Sequence, residues 1–102
     1  MIKEISIYVP VFNGEKTIRQ CLDSIFDQTL IPNKILVIND NSTDNTKKIL
    51  EDYSNDIEVI NNKENKGVSH SRFIAVNYLK TKYIASIDAD VVLSKDWLKM
   101  YR

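Results

Sequence analysis

Apolar positions along the chain fall into short β-rich runs that alternate with longer segments of helical spacing. Ile5-Ser-Ile-Tyr-Val9 reads as a strand that stops at Pro10, which has no N–H for a ladder. Over residues 15–28 the apolar positions Ile18, Cys21, Leu22, Ile25 and Phe26 follow the i, i+3, i+4, i+7, i+8 spacing of an amphipathic helix. Pro32 separates this helix from Lys34-Ile-Leu-Val-Ile38, a continuous apolar run of the kind covered on both faces of a sheet. Asn41-Ser-Thr-Asp-Asn45 supplies helix-capping chemistry, and the helix that follows turns Ile49, Leu50 and Tyr53 inward. Ile57-Glu-Val-Ile60 is a third strand, and residues 61–67 form a polar loop. A third helix over 68–80 has Ala75, Val76 and Leu79 on its apolar side, and Tyr83-Ile-Ala-Ser-Ile87 is the fourth strand. Ser94 is positioned to cap a last helix running through Trp97, Leu98 and Tyr101.

Strand–helix alternation at this spacing predicts βαβ units. The expected fold class is therefore α/β: a single domain over 1–102, three layers α/β/α, with a mostly parallel four-stranded sheet. In such a sheet every strand ends on the same edge, and ligands bind there. Three of those ends are polar: Pro10-Val-Phe-Asn13, Asn39-Asp-Asn-Ser42 and Asp88-Ala-Asp90. Asp40, Asp88 and Asp90 are thus expected around one crevice. If the last segment is extended, Asp88 and Asp90 point the same way. Two carboxylates held that close call for a positive partner, and a divalent cation carrying substrate phosphates is one.

Composition narrows the alternatives. With 14 basic and 14 acidic side chains the formal charge is zero, so no basic field favours nucleic acid. Only Gly14 and Gly67 are present, which excludes both the dinucleotide G-x-G-x-x-G and the phosphate-binding G-x-x-x-x-G-K-S/T fingerprints. A nucleotide would instead be read by side chains at the strand ends, with Asp40 accepting from base or ribose. The single cysteine, Cys21, lies on the apolar helix face and is expected to be buried and inert. No apolar run reaches 18 residues and the chain opens on a strand, so no membrane segment is expected and the localisation read from it is cytoplasmic.

Five segments taken in order, I5-S-I-Y-V-P-V-F-N13, C21-L-D-S-I-F-D-Q-T29, V37-I-N-D-N-S-T-D44, G67-V-S-H-S-R72 and Y83-I-A-S-I-D-A-D90, resemble family 2 glycosyltransferases of the GT-A, Rossmann-like fold. The resemblance implies an enzyme that transfers a sugar, with inversion, from a nucleotide-diphospho-sugar donor, usually UDP-linked, using Mn²⁺ or Mg²⁺. It implies that Pro10, Phe12, Asn13, Glu15, Asp40 and Ser42 meet the uracil and ribose. Arg72 would approach the base or phosphates. Asp88 would face the ribose or donor sugar beside the metal, and Asp90 would ligate it. Where the family often has Asp-Asp-Gly-Ser, this chain has Asn39-Asp-Asn-Ser42, and Asn41 can take up the left-handed turn that Gly would supply. His70 stands where the family commonly has a small or variable residue, and it is read as a surface side chain. Family members usually continue for a hundred residues or more. The resemblance therefore covers the donor-binding half, with the general base and the acceptor site expected elsewhere. Asp96 is read as a first-turn helix residue, Trp97 as packing under the metal loop, and homodimerisation through an uncovered sheet edge is expected.

Overall fold

The computed structural model describes residues 3–101. Its sheet has four strands in the order β3-β2-β1-β4, all parallel: β1 (Ile5–Val11), β2 (Ile35–Asn39), β3 (Glu58–Asn61) and β4 (Tyr83–Ser86). Helices α1 (Ile18–Phe26), α2 (Thr46–Glu51) and α3 (Val68–Tyr78) connect them, and a 3-10 helix follows at Leu98–Tyr101.

Alternation along the strands builds two cores. Ile5, Ile7, Val9 and Val11 of β1, with Ile35 and Val37 of β2, pack with Ile18, Cys21, Leu22 and Ile25 of α1, and Leu50 and Leu98 join this larger cluster. Tyr8, Leu36 and Ile38 point to the opposite face, where Ala75 and Leu79 cover them. The unbroken apolar run of β2 is thus explained by helices on both faces, and the three-layer expectation holds.

Four local expectations are corrected. First, β1 does not stop at Pro10 but runs through it to Val11, in register with Ile38 and Asn39. Odd residues of β1 bond β2 (Ile7 N–H to Lys34 O), whereas even residues bond β4 (Ile87 N–H to Tyr8 O). Pro10 therefore turns its missing donor towards β4, two residues beyond the last β1–β4 pair at Tyr8 and Ser86, where no ladder bond is lost. Second, α1 begins at Ile18 because residues 14–17 form a turn in which Gly14 O accepts from both Thr17 N–H and Ile18 N–H. Third, Val76 is 54% exposed, since α3 buries the narrow i, i+4 line of Ser71, Ala75 and Leu79. Fourth, the last segment is a 3-10 helix preceded by a turn, and Ser94 contributes its backbone carbonyl to Trp97 N–H rather than a side-chain cap. The side chain of Tyr101, the last of the three residues expected on that helix, lies outside the described residues. Among the described residues no helix is long and apolar enough to cross a membrane.

Candidate functional site

The chain winds outwards from β1 to β2 and β3, then returns through α3 to place β4 on the other side of β1. That reversal puts a topological switch point between β1 and β4, where open α/β sheets form their ligand crevice. A cavity of about 270 Å³ lies there, walled by Pro10 and Val11 from β1 and Phe12 just past it, by Asp88 and Ala89 beyond β4, and by Asp40 after β2. Its remaining wall is Asn65, Gly67, Val68 and Ser71, from the loop after β3 and the start of α3.

Asp40 is the best-held group in this crevice. It is 5% exposed. Its Oδ1 accepts from Asn62 Nδ2–H and Lys66 N–H, both at 2.9 Å, and its Oδ2 accepts from Gly67 N–H at 2.8 Å. Burial pushes the carboxyl upward, but these three donors and the nearby His70 outweigh it and hold the group below the usual carboxylate range. Oδ2, with one bond, keeps acceptor capacity, and Asp40 lines the cavity. His70 is partly exposed and stacks on the exposed ring of Phe73, with ring centroids 6.4 Å apart.

The loops after β1 and β2 are joined to each other. Asn13 sits at φ 51° and its Oδ1 accepts from Thr43 N–H at 2.7 Å, while Asn13 N–H donates to Ser42 Oγ at 2.9 Å. Gly14 N–H donates to Thr46 Oγ1, Glu15 N–H to Asp44 Oδ2, and Asn45 Nδ2–H to Glu15 Oε2. Asn41 takes φ 60°, the left-handed turn expected of it. Asn13, Glu15 and Ser42 therefore form a loop-to-loop clasp beside the crevice, and of the first-loop candidates Pro10 and Phe12 face the cavity itself. Phe12, 52% exposed, offers an open aromatic surface there.

Asp88 and Asp90 depart from the extended geometry expected of them. β4 ends at Ser86, and residues 88–91 make a tight turn closed by Val91 N–H on Asp88 O at 3.0 Å. The strand argument for a common direction thus does not apply. Asp88 lines the crevice and Asp90 stands outside its wall. Both are exposed, yet both approach Cys21, whose buried thiol is pushed up to about 11 by burial and then by the charges of Asp90 and Asp88. Arg72 is exposed on α3 and is not part of the crevice wall. Among the described residues no three His, Cys, Asp or Glu side chains cluster as a protein-only metal cage.

The wall from the loop after β3 was not singled out in the sequence, although the signal was present: β3 ends on the same edge, so Asn62, Asn65 and Gly67 had to arrive there too. Ser24 and Gln28, buried polar residues under the Asp88 turn, were also missed.

Residues 6–101 match the family model described as glycosyl transferase family 2. Among curated relatives, chondroitin synthase of Pasteurella multocida (strain Pm70) is 35% identical over 98 residues, which is 94% of this chain and 10% of that protein. The crystal structure of S. aureus TarS 1–349 in complex with UDP-GlcNAc superposes with a TM-score of 0.88 at 30% identity, over 96% of this chain and 30% of that one. The mannosyltransferase PcManGT from Pyrobaculum calidifontis, in complex with GDP-Man and Mn²⁺, shares the fold at a TM-score of 0.77 and 22% identity, over 85% of this chain and 27% of that one. This chain thus spans about a tenth of that curated relative and under a third of those two solved chains. A match over nearly the whole chain, on a parallel sheet with its crevice at the switch point, establishes that the chain belongs to glycosyl transferase family 2.

Proposed function

We propose that this domain binds a nucleotide-diphospho-sugar, with a UDP-linked donor favoured, together with a divalent cation, for glycosyl transfer to an acceptor. The observation that carries the reading is the crevice between β1 and β4, which combines a buried, charged Asp40, an exposed aromatic at Phe12 and the start of α3. A base would lie against Phe12, with Asp40 Oδ2 accepting from its N–H. Asn13, Glu15 and Ser42 would serve by holding the two loops around it. At the start of α3 the first N–H groups after Gly67 have no intrahelical acceptor and suit phosphate oxygens, and Arg72 would reach the same anion across the helix surface.

The donor set fits a hard divalent cation. Asp88 and Asp90 supply carboxylate oxygens from one tight turn, and the absence of a third protein ligand among the described residues leaves coordination positions for water and diphosphate. Asp90, with Asp88, would hold Mn²⁺ or Mg²⁺. When bound, such a cation stabilises the charge that develops on a nucleoside diphosphate leaving group. The protein's own part is to keep Asp40 ionised, to fix the crevice walls and to present the Asp88 turn. This reading covers the donor side of the reaction. A base for the acceptor hydroxyl must lie within hydrogen-bond reach of it, and the crevice carboxylates Asp40 and Asp88 are both assigned to the donor.

TarS, 30% identical, was crystallised with UDP-GlcNAc, which favours uridine as the nucleoside to test first. The test is calorimetric titration of UDP with Mn²⁺ and with EDTA, on the wild-type chain and on Asp90→Ala. Binding that tightens with Mn²⁺ and loses that gain in Asp90→Ala is expected. Absence of UDP binding by the folded chain would sink the reading.

A further inference from the structure

We infer that α1 and the residues just past its end set the position of the Asp88 turn, making Ser24 and Gln28, with Cys21, positioning residues for the cation-binding carboxylates. The inference rests on the donor-and-cation reading above and deepens it. The last sheet bond of this region is Ile87 N–H to Tyr8 O, after which the chain leaves β4 with no strand or helix until Leu98. A free ten-residue segment would leave Asp88 and Asp90 without a fixed geometry. Instead α1 and the residues just past its end grip it repeatedly. Cys21 Sγ–H donates to Asp88 O at 3.5 Å, and Leu93 N–H donates to Ser24 Oγ at 3.0 Å. Gln28 Nε2–H donates to Ser94 O, and its Oε1 accepts from Leu98 N–H at 3.0 Å. Thr29 N–H completes the row by donating to Lys95 O at 3.0 Å.

The spacing explains the grip. Cys21 and Ser24, three apart on α1, share one helix face, and Gln28, two residues past the end of the helix, continues the row, so the three meet the segment at successive points. Gln28 is 5% exposed, and both ends of its amide are committed, with Nε2 also donating to Ser24 O at 3.1 Å. A buried amide of this kind is costly unless every bond is made. An apolar side chain would fill the same space but would fix neither Ser94 nor Leu98. The Asp88 turn is therefore held at its start by Cys21 and just past its end, at Leu93, by Ser24, much as outer-shell partners hold ligating groups in metal sites.

The test compares wild type, Ser24→Ala and Gln28→Leu by titration of UDP in EDTA and again in Mn²⁺, with thermal unfolding recorded for each. UDP affinity in EDTA should stay close to wild type in both variants, while the gain from Mn²⁺ falls by about 10-fold or more. A merely structural role would lower both affinities together, in step with lost stability, and that outcome would overturn the inference. So would an undiminished Mn²⁺ gain in both variants. If wild type itself shows no Mn²⁺ gain, the cation reading fails, and the clamp is judged by amide hydrogen exchange at Val91 and Leu93. Faster exchange at both in Ser24→Ala supports it, and unchanged exchange overturns it.

Discussion

Replacing Asp40 with Asn removes a charge while keeping the shape, so it isolates what the carboxylate does. Three donors converge on it: Asn62 Nδ2–H and Lys66 N–H on one oxygen, Gly67 N–H on the other. An amide offers one accepting oxygen and turns its own N–H₂ against the remaining donors. Either Gly67 N–H, or both Asn62 Nδ2–H and Lys66 N–H, would then face a donor instead of an acceptor. Hydrogen bonds to a charged group contribute about 1.5–3 kcal/mol, and an orphaned buried donor costs about 1–3 kcal/mol. Because one side of the network can be rebuilt, the net loss should be about 3 kcal/mol, a large share of the ~5–15 kcal/mol that stabilises a typical domain. At roughly 4–8 °C per kcal/mol for a domain of this size, Tm should fall by roughly 12–24 °C. Thermal unfolding followed by circular dichroism reads this directly. The pH dependence gives an independent check. Asp40's folded value lies below its ordinary 3.8, so its contribution is fully present above that pH and is lost as pH falls through the folded value. The gap between wild type and Asp40→Asn should stay constant from pH 7 down to about pH 4 and narrow below it. A Tm loss under about 4 °C, or a gap that already closes at pH 5, would refute the claim that this carboxylate holds the loop before α3.

Gly67 has φ +86° and ψ 175°, a region open essentially to glycine alone, with open space where a Cβ would stand, so Gly67→Ala should cost about 1–3 kcal/mol through backbone strain, measured by urea unfolding; an unchanged midpoint would contradict the positive-φ geometry. A Cβ on Gly14 would lie 2.6 Å from Val11 Cγ2, a buried branched side chain, so Gly14→Ala should destabilise by about 1–3 kcal/mol in the same assay. Cys21 is fully buried, so a thiol reagent at pH 8 should label the native chain far more slowly than the urea-unfolded one; equal rates would show that the α1 face is open.

Much of the fold could be read in advance because burial dominates it. The apolar run at residues 35–38 had to be covered twice, and the Ile18, Cys21, Leu22, Ile25 spacing had to face a sheet; both are fully or nearly fully buried. Asn41 was readable because few residues other than Gly tolerate its backbone angle. The failures share another cause, namely tertiary context overriding local rules. Pro10 continues a central strand only because β4 ends early on that side, which the residues around Pro10 do not encode. Val76 looked inward because it is apolar, yet Phe73 and Val76 are 64% and 54% exposed on a helix whose buried line is Ser71, Ala75 and Leu79. The Asp88 turn looked extended because a strand precedes it, while its conformation is set by bonds to Cys21 and Ser24, more than sixty residues earlier. Topology alone anticipated Asp40 and Asp88 around one crevice, but it also put Asp90 there, and Asp90 is not in the crevice wall; which donors hold Asp40 was not readable, since the loop over 61–67 has no periodic signal.

The most direct measurement is an amide chemical-shift titration of the ¹⁵N-labelled chain with UDP and Mg²⁺. Shifts concentrated at Phe12, Asp40, Gly67, Val68, Ser71 and Asp88 are the result expected of a donor crevice between β1 and β4. Shifts concentrated instead around the apolar cavity of Ile5, Tyr83, Ile84, Trp97 and Leu98, or none at saturating UDP, would contradict it.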